Sequence, residues 1–391
     1  MAKILIVRLG AMGDILHALP AVTSIRAALP DATIGWLVEE NWSELLTARG
    51  HKADPLAVSP SKPVPNLIHT VNTKRWRKQF FQAKTIAEIR GDFKRLRATH
   101  YDIALDFQGN AKSSVAGWLS SAPEMAGYVD PRESIARLFY KHTFARKGEH
   151  VIEQNHQLAK EVLASLLPGG ELPLVAPQLP CDPAAQQWVD EQIKTLGIAS
   201  YAVVTPGAGW GAKQWPPQRF GEVAQGLAKH NLRTLVNTAP GEESLAQAVV
   251  DASKGTAFSI KCTIGQLIAL TRRARLFIGG DTGPLHIASA LGIPVVAIFG
   301  PTDPARTGPY GSQAIALRSP DSETTFSHRA GPEQGLLKIT AEEVIAAARH
   351  LLISNPVTSN PVTSNPVTAG SATTSPSTKS PAANSKGEQN G

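Results

Sequence analysis

The stretch "ILIVRLGAMGDILHALP", residues 4–20, decides the fold. Its apolar run Ile4-Leu5-Ile6-Val7 reads as a short buried strand, and residues 14–28 carry apolar side chains at helical spacing. Between them lies the glycine turn Gly10-Ala11-Met12-Gly13-Asp14. Strand, glycine turn and helix make the first half of a nucleotide-binding unit. Yet Gly10 and Gly13 are three apart, so the dinucleotide pattern G-x-G-x-x-G is not met. Asp14 also puts a negative charge at the helix start, where a phosphate would otherwise bind. Aspartate is a favoured N-cap, which is one reading of this position. The other is a general base that deprotonates an uncharged hydroxyl. His17, one turn on, faces the same way or simply packs.

Outward from this stretch the same alternation continues. Further strands are expected at 3–9, 33–39 ("TIGWLVE") and 102–107 ("DIALDF"), with helices at 14–28, 78–97 and 153–167. The Pro/Gly-rich segment "LPGGELPLVAPQLPCDP" (167–183) interrupts the pattern and marks a boundary. Beyond it, "YAVVTPGAG", "LRTLVNTAPG", "ARLFIGGDTG" and "IPVVAIFGPTDP" each follow a helical run. Strands separated by helices imply parallel sheets with right-handed crossovers. The expectation is an α/β chain of two Rossmann-like domains, 1–175 and 176–353, facing a cleft. Residues 354–391, with "SNPVTSNPVTSNPVT", hold too few bulky apolar side chains to fold and are expected to form a low-complexity tail.

A chain of 391 residues exceeds one ordinary core, which agrees with two domains. Cys181 and Cys262 make no disulfide framework and suit a reducing compartment. The apolar run ending at Arg8 is too short for a secretory signal, and no stretch approaches the roughly 20 apolar residues of a membrane span. A cytoplasmic location is therefore expected.

The formal net charge of +7 has an address. Residues 73–100, "TKRWRKQFFQAKTIAEIRGDFKRLRATH", hold nine Lys/Arg against Glu88 and Asp92, so the rest of the chain is neutral on balance. This predicts an anionic partner. No nucleic-acid motif accompanies the charge, and a membrane surface bearing an acidic glycolipid fits it. The plainer reading is a solvated helix face anchored to the core by Trp76, Phe80, Phe81, Ile86, Ile89, Phe93 and Leu96.

The second half carries the stronger phosphate signal. In "FIGGDTGPLHIASALGIP" (277–294) a strand runs into Asp281-Thr282-Gly283, and Pro284 stands in the first helical turn, where proline is favoured. Free amides at that helix start, with the Thr282 hydroxyl, suit a diphosphate. Lys213, in the glycine-rich "PGAGWGAKQWPPQRF" (206–220), can neutralise a departing phosphate or be an ordinary loop lysine. Glu242, in "NTAPGEESLAQ" (237–247), can accept two ribose hydroxyls or be ordinary helix-start charge.

Together, "MGDILHALPA", "DFQGNAKS" (106–113), "PGAGWGAKQWP" and "GGDTGPLHIASALGIPVVAIFGPTDP" resemble the ADP-heptose-dependent heptosyltransferases of lipopolysaccharide core assembly, over roughly residues 1–350. The resemblance implies a GT-B fold and inverting, metal-independent transfer of heptose from ADP-heptose, with no cofactor. "LGAMGDILHALPAV" and the "KRWRK" run are most similar to the branch that adds the first heptose to 3-deoxy-manno-octulosonic acid on lipid A, at the inner-membrane surface. It further implies Asp14 as the base and Lys213, Thr282 and Gly283 on the leaving ADP. Asp281 would lie at the heptose–diphosphate region, Glu242 on the ribose, and His286 among the donor-binding residues. Lys74, Arg75, Arg77, Lys78 and Arg132 would meet the acceptor's carboxylates and phosphates. The alternatives are a family member with another acceptor, such as the second-heptose branch, and an inactive glycan-binding module. An oxidoreductase lacks its glycine fingerprint here.

Overall fold

A computed structural model describes residues 1–50, 56–325 and 331–355. The expected tail 354–391 lies, apart from its first two residues, outside the described residues. The first half runs β1 (Lys3–Val7), α1 (Met12–Ala28), β2 (Thr33–Glu39), β3 (Leu67–Val71), α2 (Thr73–Lys78), α3 (Ala83–Ala98) and β4 (Ile103–Asp106). It continues through α4 (Ala111–Trp118), β5 (Glu124–Tyr128), β6 (His142–Phe144) and α5 (Val151–Val162). These strands form one parallel sheet, ordered β3-β2-β1-β4-β5-β6.

The second half repeats the plan with α6 (Pro183–Leu196), β7 (Tyr201–Thr205), α7 (Pro217–Ala228), β8 (Arg233–Val236), α8 (Glu243–Ala252), β9 (Ala257–Ser259) and α9 (Ile264–Arg272). It ends with β10 (Leu276–Gly280), α10 (Gly283–Ala290), β11 (Val295–Phe299), α11 (Pro304–Thr307), β12 (Ala314–Arg318) and α12 (Ala341–Ser354). Its sheet order, β12-β11-β10-β7-β8-β9, is the same doubly wound order read from the other edge. The order reverses beside β1 in one sheet and beside β7 in the other, and such crevices are where these sheets bind ligands.

Each central strand is buried on both sides, as an uninterrupted apolar run requires. On one face of the first sheet, Ile4 and Ile6 pack with α1 and α5; on the other, Leu5 and Val7 pack with Trp76, Phe93, Leu96 and Ala116. Leu267, Ile268 and Ile287 of the second half join the Ile4–Ile6 cluster. The two halves therefore share apolar contact through α1, α9 and α10.

Several expected boundaries shift. The strand 3–9 stops at Val7, because Arg8 and Leu9 turn toward the loop after β4. The helix expected from 14 begins at Met12, with Ala11 as N-cap. Asp14 is therefore not the cap; it stands in the first turn and accepts a hydrogen bond from the Ala11 amide at 3.2 Å. The helix expected at 78–97 begins only at Ala83, as α3, while Lys78 closes a separate helix, α2, that starts at Thr73; the chain breaks between them at Gln79–Gln82. That break turns Phe80 and Phe81 outward, 56% and 96% exposed, so they do not anchor the segment. Trp76, Phe93 and Leu96 do, with Ile89 packed against them.

Candidate active site

The site residues gather at the carboxyl ends of the two sheets. Asp14 follows β1, Lys74, Arg75, Arg77 and Lys78 follow β3, and Arg132 follows β5. Lys213 follows β7, Glu242 follows β8, and Asp281, Thr282, Gly283 and His286 follow β10.

The two glycine turns meet. A Cβ on Gly13 would lie 2.9 Å from Cδ2 of His286, and one on Gly283 would lie 2.4 Å from Sδ of Met12. Both glycines are needed because the starts of α1 and α10 approach each other too closely for a side chain. Asp14 is thereby held beside the phosphate-type turn of the second sheet.

Arg8 fixes Asp14. Its guanidinium makes a 2.9 Å ion pair with the Asp14 carboxylate and donates to the Phe107 carbonyl. Arg8 is nearly buried, whereas the Asp14 side chain is 38% exposed and open to a ligand. The strand-end loop behind it is tied by Asp106, whose carboxylate accepts from the Gln108 and Gly109 amides and from the Ser113 and Tyr140 hydroxyls. Burial raises the Asp106 pKa, and these four donors oppose the rise. Gln108 in turn accepts from the Leu9 amide at 2.8 Å. Arg8 is a residue the sequence reading passed over, although it stands in the opening stretch. An arginine directly after a buried strand, six residues from a candidate base, was the available signal.

His17 packs and does not face the same space as Asp14. Its ring lies 4.3 Å from that of His286 and 5.7 Å from that of His150. Burial first, then the neighbouring histidines, hold its pKa well below the ordinary value. His150 N-caps α5 through Nδ1, and its Nε2 lies 3.0 Å from the Gly308 carbonyl of the second half. Three histidines thus line the contact between the halves.

On the other side, Lys213 Nζ donates to Asp281 Oδ2 at 2.6 Å, and His286 Nε2 lies 3.3 Å from Oδ1. Burial opposes ionisation of Asp281, but the hydrogen bond and charge of His286 and the Lys213 ammonium outweigh it. The carboxyl is held far below the usual range. The Asp281 carboxylate is thus already charge-compensated by its own neighbours. Thr282 stands at the N-cap position of α10, but its hydroxyl donates to the Gly280 carbonyl at 3.3 Å and leaves the Gly283 amide uncapped by it at the helix start. Glu242 stands at the N-cap position of α8 without capping it; its carboxylate accepts from the Ala239 amide and packs against Gly207, where a Cβ would come within 2.1 Å of Oε2. The glycine loop that carries Lys213 also seats Glu242.

On the first sheet, Lys74, Arg75, Arg77, Lys78 and Gln79 line an open hollow of about 300 Å³. Arg75 is partly spoken for, since it pairs with Glu88. Arg132 is exposed, and its backbone packs against Gly109 of the loop that Asp106 organises. The geometry offers a partly exposed carboxylate from one half, a lysine and a helix start from the other, and a basic rim. Among the described residues, no group of three or more His, Cys, Asp or Glu is arranged to hold a metal.

Comparison with known proteins identifies the family and the fold. Residues 90–336 match the model of glycosyltransferase family 9 (heptosyltransferase). The chain is 29% identical to lipopolysaccharide heptosyltransferase 1 of Escherichia coli K12, over 81% of this chain and 94% of that one. It is 26% identical to lipopolysaccharide heptosyltransferase 3 of Escherichia coli, over 88% and 97%. The solved structure of Escherichia coli heptosyltransferase WaaC with ADP superposes with a TM-score of 0.71 at 26% identity, covering 89% of this chain and 99% of that one. The two facing doubly wound sheets are the GT-B architecture.

Proposed function

For a chain that belongs to glycosyltransferase family 9, and so is a heptosyltransferase of lipopolysaccharide core biosynthesis, we propose transfer of the first heptose from ADP-heptose to 3-deoxy-manno-octulosonic acid of lipid A. The observation that carries this reading is the meeting of the two glycine turns, which sets Asp14 across from Lys213, Asp281 and the start of α10. Asp14 takes the proton of the acceptor hydroxyl, and the resulting oxygen nucleophile attacks the anomeric carbon of the heptose. The bond to the diphosphate breaks on the opposite face, inverting the centre and releasing ADP. Lys213, the Gly283 amide and Thr282 take up the charge that develops on the leaving diphosphate, which supports transfer without a metal. His286 holds Asp281, and Asp281 and Glu242 serve the heptose and ribose hydroxyls.

The first-heptose acceptor is favoured by the higher identity to heptosyltransferase 1 than to heptosyltransferase 3. The basic hollow on α2 suits an acidic, phosphorylated glycolipid. No described helix is long and apolar enough to cross a membrane, and we place the enzyme peripherally at the cytoplasmic face of the inner membrane. The test is mass spectrometry of purified protein with ADP-heptose and deacylated lipid A bearing 3-deoxy-manno-octulosonic acid. A product heavier by one heptose is expected. Transfer only to an acceptor that already carries heptose would assign the chain to another branch of the family.

A further inference from the structure

Seven of the twelve exposed large apolar side chains among the described residues fall between Phe80 and Leu138. They are carried by the α2–α3 connection, by α4 and by the turn after β5. The helices α2, α3 and α4 all cover the Leu5–Val7 face of the first sheet, away from the second half. The sharpest feature is the break between α2 and α3. Trp76 turns in and is buried, whereas Phe80 and Phe81 stand outward with their rings 5.7 Å apart, edge on. An aromatic side chain left 96% in water forgoes burial that would stabilise the fold, so its position calls for an occupant.

The surroundings identify that occupant by charge. The acids of this segment, Glu88 and Asp92, are already paired with Arg75 and Arg95. Among the described residues no ion pair holds Lys74, Arg77, Lys78, Lys84, Arg90 or Lys94. Exposed aromatics flanked by unpaired cations complement an apolar layer beneath an anionic headgroup plane. We propose that this face docks on an anionic lipid bilayer, with Phe80 and Phe81 inserted and the α2–α3 cations on the headgroups. The site follows β3 at the same sheet end as Asp14, so docking would bring the bilayer to the rim of the cleft. This inference rests on the proposed lipid-borne acceptor for its purpose, not for its test.

The full chain is sedimented with phosphatidylcholine vesicles, with and without phosphatidylglycerol. Binding is expected with phosphatidylglycerol, weakened by salt. Phe80→Ser/Phe81→Ser should lower that binding about tenfold or more. Ile353→Ser, which alters a 75% exposed side chain on α12 of the other half, should leave it unchanged. Phe81→Trp should keep binding and shift its fluorescence to the blue on anionic vesicles. The Phe80→Ser/Phe81→Ser variant should still transfer heptose to the water-soluble deacylated acceptor. Loss of that transfer in the parent chain would fault the acceptor assignment and leave the vesicle result standing. Undiminished vesicle binding by the double variant, an equal loss with Ile353→Ser, or no binding by the parent chain would overturn the docking surface. So would capture by a protein in place of lipid.

Discussion

Arg8 and Asp14 form a 2.9 Å ion pair across the first glycine turn, with the arginine nearly buried and the aspartate facing the cleft. The pair sets one carboxylate oxygen and leaves the group open to an incoming hydroxyl. Asp14→Asn keeps an acceptor for the Ala11 amide but cannot take a proton. Turnover should fall about 10²–10⁴-fold, with melting temperature and ADP affinity almost unchanged. Near-normal turnover would remove Asp14 from the chemistry. Arg8→Gln should lower kcat while sparing ADP affinity, because it frees the base to swing and does not touch the donor side.

Lys213 and Asp281 make a largely buried ion pair with the lysine still partly exposed, so their variants separate stability from chemistry. Lys213→Ala strands a buried carboxylate, and breaking such a pair typically costs about 3–5 kcal/mol. It should also weaken ADP binding by about 1.5–3 kcal/mol. Adding Asp281→Asn should restore much of the melting temperature without restoring transfer. Calorimetry and thermal melts read the two effects apart. Equal recovery of both would mean that Lys213 is only structural.

Acid should loosen the contact between the halves. His17 faces His286, His150, Asp281 and Arg8, and its folded pKa is depressed below 6.5 mainly by burial. A depressed histidine is neutral in the fold, while the unfolded chain takes up the proton. Its contribution is therefore complete above about pH 6.5 and is lost as pH falls from there, by at most about 1.4 kcal/mol per pH unit. Melting temperature should decline between about pH 6.5 and 5. His17→Leu should flatten that slope; an unchanged slope would assign it to other groups.

The hollow on α2 predicts a split between substrates. Arg77→Glu/Lys78→Glu should raise the acceptor KM and leave ADP affinity nearly unchanged, with added salt reproducing part of the effect. Arg75→Glu should cost more than these in stability, since it sets two acids against each other where Arg75 now pairs with Glu88. A fall in ADP affinity for the Arg77/Lys78 variant would place the segment on the donor side.

Much of this protein is written locally. The runs at 4–7, 33–39, 201–205, 276–280 and 295–299 are apolar enough that only a doubly covered parallel sheet can bury them. Glycine turns at the ends of such strands are where doubly wound sheets bind ligands, so Asp14, Lys213, Glu242 and Asp281 could be named as candidates from order alone. β3, β6, β9 and β12 were not legible: they lie at the sheet edges, short or only half-buried, and take their shape from the strand beside them. β5, "EMAGY", is buried, but its Glu, Ala and Gly carry little strand preference. The tertiary structure alone decided partnerships. Charge in the sequence has no direction, so nothing local tells that Arg8 holds Asp14, that Lys213 is bound to Asp281, or that His17 turns inward to His286 and His150. The helix break at Gln79–Gln82 belongs there as well. Trp76, Phe80 and Phe81 are all aromatic, and only the packing of α2 beside Phe93 and Leu96 gives Trp76 a core to enter while Phe80 and Phe81 stay exposed.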